Sequence, residues 1–234
     1  MTPILTQADA IFFDLDGTLV DSVPDLARAV DQMLTELGRD AAGEDKVRHW
    51  VGNGAPALVK RALADDAHGD EGDRVADVDY QAAYPLFAKY YEQSVVHATG
   101  LYDGVREFLL SAHAKPTALI TNKPRKFTLM ILEALELLPF FDVVVCGDDY
   151  DHKKPHPEPL IQALASLNQK NPNQQNSGLV MANTVMIGDS VSDIKAAQAA
   201  GCQSIAVTYG YNHGQCASTL DSDHTVDSLL ELLS

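Results

Sequence analysis

Asp14 and Asp16 stand two positions apart, directly behind the apolar run Ile11-Phe12-Phe13 and ahead of Gly17-Thr18. Two carboxylates this close repel when both ionise without a partner, so something must offset their charge, and a bound divalent cation is the leading candidate. A plain turn is the competing reading, because Asp and Gly are common in turns. A calcium loop also begins Asp-x-Asp, but it requires Gly at its sixth position and Glu at its twelfth. Here those positions hold Leu19 and Asp25, which rejects it. Taken alone, the pair leaves chemistry and a simple turn open.

Other polar groups also follow short apolar runs. Thr117 to Ile120 leads into Thr121-Asn122-Lys123, and Asp142 to Cys146 leads into Gly147-Asp148-Asp149, with Lys154 in the loop beyond. Thr184 to Ile187 leads into Gly188-Asp189-Ser190. Short apolar runs closed by turn residues read as buried strands. Helical spacing is predicted over residues 124–137, 157–167 and 191–200, followed by a strand over 204–207 and a terminal helix over 225–233. Strands alternating with helices imply a mainly parallel sheet covered on both faces, with ligands outside the carboxyl ends of its strands. The polar groups would therefore meet along one edge. Residues 23–38 carry a helical pattern with Ser22 as N-cap, Pro24 in the first turn and Gly38 at the stop. Helices are also expected over 55–64 and 80–97, with an Asp- and Gly-rich loop over 65–79 between them. No strand is evident from 23 to 98, which reads as a helical insertion. The Asn/Gln-rich residues 168–178 read as an exposed loop.

With an unperturbed pKa near 3.9, Asp14 and Asp189 should be anionic at neutral pH. Together with a backbone oxygen and waters they would form an oxygen-only site suited to Mg²⁺. Lys154 adds a fixed positive charge, and Thr121 and Asn122 add neutral hydrogen-bond donors. That inventory fits a phosphoryl group held between a metal and a lysine. Asp14 is then a candidate nucleophile that would form an aspartyl-phosphate. Asp16 can protonate the leaving oxygen and later deprotonate water.

Asp14-x-Asp16-Gly17-Thr18, Thr121-Asn122, Lys154-Pro155 and Gly188-Asp189-Ser190-x-x-Asp193, in this order, resemble the four motifs of the haloacid dehalogenase superfamily. The resemblance spans the whole chain. It implies a Rossmann-like α/β core over residues 1–22 and 99–234, with an all-helical cap inserted over 23–98. It also implies Asp16 as a metal ligand through its backbone oxygen, Asp14 and Asp189 as carboxylate ligands, and Asp193 either supporting the metal or binding it directly. Dehalogenases of the superfamily lack the acid/base aspartate, so Asp16 points to phosphate chemistry. Trp50-Val51-Gly52-Asn53-Gly54-Ala55-Pro56 is similar to the cap loop of bacterial phosphoglycolate phosphatases, which makes Gly52, Asn53 and Gly54 candidates for substrate selection. Gly52-x-Gly54-x-x-Ala57 also imitates a dinucleotide fingerprint, but it follows no clear strand. Thr121-Asn122-Lys123-Pro124, Lys153 to Pro157 and Thr208 to Asn212 are similar to the same subfamily, whereas the segment 168–178 is longer than the resemblance implies.

The implied activity is a Mg²⁺-dependent phosphomonoesterase acting on 2-phosphoglycolate. Its rivals are the same chemistry on a sugar phosphate, nucleotide or pyrophosphate, a phosphomutase, and a catalytically idle binding protein. Among the 234 residues a formal charge of −16 disfavours nucleic acid as a partner but not a small anionic metabolite. No apolar stretch is long enough for a membrane helix, and no secretory signal is expected at the N-terminus. Three cysteines without a Cys-x-x-Cys pair fit reduced thiols in a cytoplasmic protein. The pattern leaves monomer and homodimer open. Lys153, His152 and His156 read as surface or supporting groups, Trp50 as packing, and Arg61 as either a surface charge or an anchor for a carboxylate. Asn53 has a turn reading beside the substrate one.

Overall fold

The computed structural model describes residues 2–65, 75–170 and 178–233. Six strands form one parallel sheet in the order β5-β4-β1-β6-β7-β8. In chain order these are β1 (Ala10–Phe13), β4 (Thr117–Ile120), β5 (Val143–Val145), β6 (Thr184–Gly188), β7 (Gln203–Val207) and β8 (His224–Val226). β1 lies in the middle, with Phe13 opposite Leu119 of β4 and Ile187 of β6. Side chains of a strand alternate between faces. Accordingly Phe12, Ile120 and Met186 pack with α8 (Glu158–Lys170) and α9 (Val191–Ala200). Ile11, Phe13, Leu119 and Ile187 face a second apolar cluster with α6 (Val105–Ala112) and α7 (Arg125–Ala134). A sheet covered on both faces needs strands that are apolar on both sides, and β1, β4 and β6 are buried at every position.

β2 (Val20–Asp21) and β3 (Gly100–Leu101) form a separate antiparallel pair. Between them the chain makes α2 (Val23–Glu36), α3 (Glu44–Trp50), α4 (Ala55–Ala64) and α5 (Asp77–Ser94). Among the described residues of this stretch there is no strand, as the spacing predicts. α2 packs against α3, α4 and α5. The two passages of chain are also pinned by Asp25, which is fully buried. Its carboxylate accepts hydrogen bonds from the amides of Ala98 (2.9 Å) and Thr99 (2.8 Å) and from the Thr99 hydroxyl (2.8 Å).

Several elements differ from the sequence reading. The terminal helix expected over 225–233 is instead β8 followed by a short 3₁₀ turn, Leu229–Leu233. Pairing with the exposed edge of β7 outweighs the helical look of the Leu-Leu-Glu-Leu-Leu run, and Leu229 and Leu232 still supply an apolar face. α3, α6, the short α1 (Pro3–Gln7) and the β2–β3 pair have no counterpart in the sequence reading. α5 begins at Asp77, inside the stretch expected to be loop, and residues 66–74 of that stretch lie outside the described residues. Residues 168–170 of the expected polar loop belong to α8, and 171–177 lie outside the described residues. The ends that are described are joined by Asn168, whose side chain donates to the Leu179 carbonyl (3.0 Å) and accepts from its amide (2.7 Å).

Candidate active site

Three carboxylates converge at the carboxyl edge of the sheet. Asp14 follows β1, Asp189 follows β6, and Asp193 lies in the first turn of α9. Each offers an oxygen, and these oxygens lie within 4.8 Å of one another, all on buried residues. Lys154 reaches them from the loop after β5. Its ammonium donates to Asp14 Oδ1 (2.8 Å), Asp193 Oδ1 (2.6 Å) and the Ile120 carbonyl (2.5 Å), so all three of its protons are used. Only 2% of Lys154 is exposed, which removes the competition from water that weakens surface pairs.

Backbone amides hold two of the three acids in place. Asp193 closes a capping box with Ser190, accepting from the Ser190 amide (3.1 Å) and hydroxyl (2.7 Å). Asp189 accepts from the amides of Tyr211 (2.7 Å) and Asn212 (3.3 Å) and lies 3.5 Å from the Thr18 hydroxyl. Gly17 makes this approach possible. Its φ is +88°, and a Cβ there would sit 2.3 Å from Asp189 Oδ2.

The crowding shows in the titration behaviour. Burial pushes Asp14 up to about 7, with Asp193 and Asp16 adding to the rise and Lys154 opposing it. Burial, reinforced by Asp193 and Asp14, also holds Asp189 well above the usual carboxylate range. Burial works against the Lys154 charge, but Asp14 and Asp193 outweigh it and raise its pKa. One lysine among three buried acids leaves uncompensated negative charge. The donor set is all hard oxygen, and it fits a divalent cation.

Asp16 is placed differently. Its carboxylate turns to Lys123, with Nζ 2.9 and 3.0 Å from its two oxygens, and accepts from the Ser22 hydroxyl (2.5 Å). Thr121 Oγ1 accepts the Lys123 amide (3.2 Å). The Asn122 amide donates to the carbonyls of Lys154 (3.0 Å) and Gly52 (3.1 Å), so it ties the loop after β5 and the insertion loop to the end of β4. That loop comes close to the backbone, because a Cβ on Gly54, whose φ is +86°, would lie 2.7 Å from the Asn122 carbonyl. Asn53 is braced, accepting from Arg61 (2.8 Å) and lying 3.4 Å from the Ser192 hydroxyl. Arg61 also donates to the Trp50 carbonyl (2.6 Å), which makes it an internal brace of this loop. Asp14, Asp16, Gly52, Gly54 and Thr121 line one cleft with Leu58, Phe87 and Tyr91 of the insertion.

A family model described as haloacid dehalogenase-like hydrolase matches residues 11–207 of the chain. The chain belongs to the haloacid dehalogenase-like hydrolases. A phosphoglycolate phosphatase of Nitrosococcus oceani is 40% identical over 231 residues, covering 98% of this chain and 96% of that one. A phosphoglycolate phosphatase of Pseudomonas syringae is 43% identical over 226 residues, covering 95% of this chain and 78% of the relative. Among solved structures, a predicted phosphoglycolate phosphatase from Haemophilus somnus superposes with a TM-score of 0.82 at 31% identity, covering 97% of each chain.

Within this hydrolase the sequence-selected residues thus fall into two sets. Asp14, Asp189, Asp193 and Lys154 form one contact network, joined to Asn122 through the Lys154 carbonyl. Asp16 and Thr121 belong to a second, centred on Lys123. Sequence reasoning gave Ser22 the role of an N-cap, but its side chain makes no cap bond and its hydroxyl donates to Asp16 instead; it quoted Lys123 only as part of a motif and passed over Tyr91. A lysine three residues beyond the end of a core strand is a signal that could have singled out Lys123. Tyr91 looks like any aromatic on an amphipathic helix. His152 and His156 are exposed, their rings stacked with centroids 4.2 Å apart and His152 Nδ1 3.0 Å from Glu158. Among the described residues no helix is long and apolar enough to cross a membrane.

Proposed function

We propose that this phosphoric monoester hydrolase takes 2-phosphoglycolate and releases glycolate and phosphate through a phosphoryl group carried on Asp14. The observation that supports the reading best is the buried cluster in which Lys154 lies 2.8 Å from Asp14 and 2.6 Å from Asp193, with Asp189 alongside. The Asp14 carboxylate attacks phosphorus, the bond from phosphorus to the ester oxygen breaks, and Asp16 gives that oxygen a proton. Water then attacks the phosphoryl group with Asp16 taking its proton, which regenerates Asp14. Lys154 orients Asp14 and faces the phosphoryl oxygens, with Thr121 and Asn122 beside it. Asp14, Asp189 and the Asp16 backbone oxygen would hold Mg²⁺, with Asp193 supporting or joining them. When bound, the ion supplies positive charge that offsets repulsion between the nucleophile and the anionic ester.

Residues 23–98 act in this reading as a cap over the core formed by 1–22 and 99–234, with Gly52, Asn53 and Gly54 as the loop that meets substrate. Closing it would exclude water from the first step. The relatives named as phosphoglycolate phosphatases support the choice of ester. The test is phosphate release with Mg²⁺ from a panel containing 2-phosphoglycolate, sugar phosphates, nucleotides and pyrophosphate. The expected result is the highest kcat/KM on 2-phosphoglycolate. A far higher value on glucose 1-phosphate would reject the substrate, and conversion to an isomeric phosphate without release would indicate a mutase.

A further inference from the structure

The phosphoryl chemistry leaves two groups of the cleft without a stated task, the Lys123 ammonium and the Tyr91 hydroxyl. Lys123 is buried, and among the described residues lining the cleft it is the one cation. Two of its protons go to the two oxygens of Asp16, at 2.9 and 3.0 Å. The same ammonium lies 4.9 Å from the centre of the Tyr91 ring. Tyr91 projects from α5, so the pair joins the insertion to the sheet edge. Its hydroxyl is buried, and the proton has no acceptor among the described residues. Burial pushes this hydroxyl up to about 12, so it remains a donor at any working pH. A buried donor left without an acceptor is costly and uncommon in a folded protein.

A simpler reading gives Lys123 only the task of balancing Asp16. That reading leaves the Tyr91 proton unexplained. The two groups together, an ammonium and a hydroxyl donor on facing elements, match what a carboxylate accepts. Their position also fits the reaction. Asp16 delivers a proton to the bridging oxygen, and in a phosphorylated 2-hydroxy acid the carboxylate lies one methylene beyond that oxygen. The carboxylate therefore arrives beside the neighbour of Asp16, which is Lys123. Phe87, Leu58 and Leu26 make the wall on the insertion side apolar, and the Asn122 amide at the sheet edge already donates to the carbonyls of Gly52 and Lys154.

We infer that Lys123 and Tyr91 form the carboxylate-recognition site of this enzyme and select small phosphate esters that carry an acid group next to the phosphorylated carbon. This rests on the reading of the site as a phosphoglycolate phosphatase. Asp16 and the incoming carboxylate share Lys123, so a substrate with the acid group engages the cation that holds Asp16, and a neutral ester does not.

The test compares kcat/KM for 2-phosphoglycolate with that for 2-hydroxyethyl phosphate, in which a neutral hydroxymethyl group replaces the carboxylate. The ratio of the two is the readout, because any effect exerted through Asp16 falls on both esters. Lys123→Met is expected to lower the ratio by about 30-fold or more, the scale for removing one partner of a buried charge pair. Tyr91→Phe is expected to lower it by about 3- to 10-fold, mainly through KM. If Lys123→Met does not fold, Tyr91→Phe decides alone. A ratio unchanged in either folded variant overturns the inference, as does an equal fall on both esters. If the wild-type enzyme prefers a different carboxylate-bearing ester, the phosphoglycolate reading fails. The ratio measured on that ester and its carboxylate-free analogue still decides the role of Lys123 and Tyr91.

Discussion

The edge of the sheet and the insertion face above it solve different problems. At the sheet edge every proton of Lys154 is engaged, and Asp189 and Asp193 are fixed by backbone amides. Above it the cleft wall is largely apolar, from Leu26, Leu58 and Phe87, and the Tyr91 hydroxyl proton has no acceptor among the described residues. In the proposed function the contrast separates reaction from selection. A site that must place a nucleophile within a fraction of an ångström is built on strand ends, where the ladder holds the backbone. A surface that must admit one ester and release its product can leave donors open until the ligand supplies the acceptors.

Substitutions can break this comparison. The largest effect is expected at Asp14, where Asp14→Asn should lower kcat by about 10⁴-fold or more by removing the proposed nucleophile. Asp189→Asn should cost about 10²- to 10³-fold and raise the Mg²⁺ concentration needed for half-maximal rate, since it removes a proposed charged ligand. Phosphate-release kinetics across a Mg²⁺ titration check both.

The metal-free protein should also depend on pH in a particular direction. Burial raises Asp14 from its ordinary value to about 7, so between roughly pH 4 and 7 the folded state holds more protons than the unfolded chain. Stability is then greatest below the unfolded pKa and falls as pH rises through about 7. Asp189, raised for the same reason, acts in the same direction. Thermal melts with chelator should show a lower midpoint at pH 8 than at pH 5. Saturating Mg²⁺ should recover most of the loss, because binding drives those protons off.

The junction between the two regions should be sensitive in stability. Asp25→Ala leaves the amides of Ala98 and Thr99 and the Thr99 hydroxyl without their acceptor, at a cost of about 3 kcal/mol, which denaturant titration can measure. The smallest effect is expected at Asn53. Asn53→Ala releases the braced loop and should change preference among esters by less than about tenfold while leaving kcat on a generic aryl phosphate nearly intact.

The legible and illegible parts of the molecule divide along the same line. The strands ending at Phe13, Ile120, Val145 and Gly188 were readable because buried parallel strands are short apolar runs closed by turn residues. The residues behind them could be placed on one edge by topology alone. β8 and the β2–β3 pair were not readable, since Val20–Asp21, Gly100–Leu101 and His224–Val226 carry no buried apolar run like that of β5 and are defined by the neighbour they pair with. The partner of Asp16 was hidden for a related reason. Lys123 reaches back 107 positions, and although its place behind β4 could have drawn attention to it, no spacing in the sequence shows that it pairs with Asp16. Tyr91 sits in the apolar stripe of α5 beside Phe87, and in the sequence nothing distinguishes it from a packing aromatic.

The central claim is that Asp14 attacks phosphorus from within the Lys154–Asp189–Asp193 cluster. Rapid acid quench during turnover of 2-phosphoglycolate, followed by borohydride reduction and peptide mass mapping, tests it most directly. The account predicts one phosphorylated peptide, residue 14 within it, and homoserine at that position after reduction. Steady turnover with the phosphoryl group on another residue, or undiminished turnover in Asp14→Asn, would contradict it.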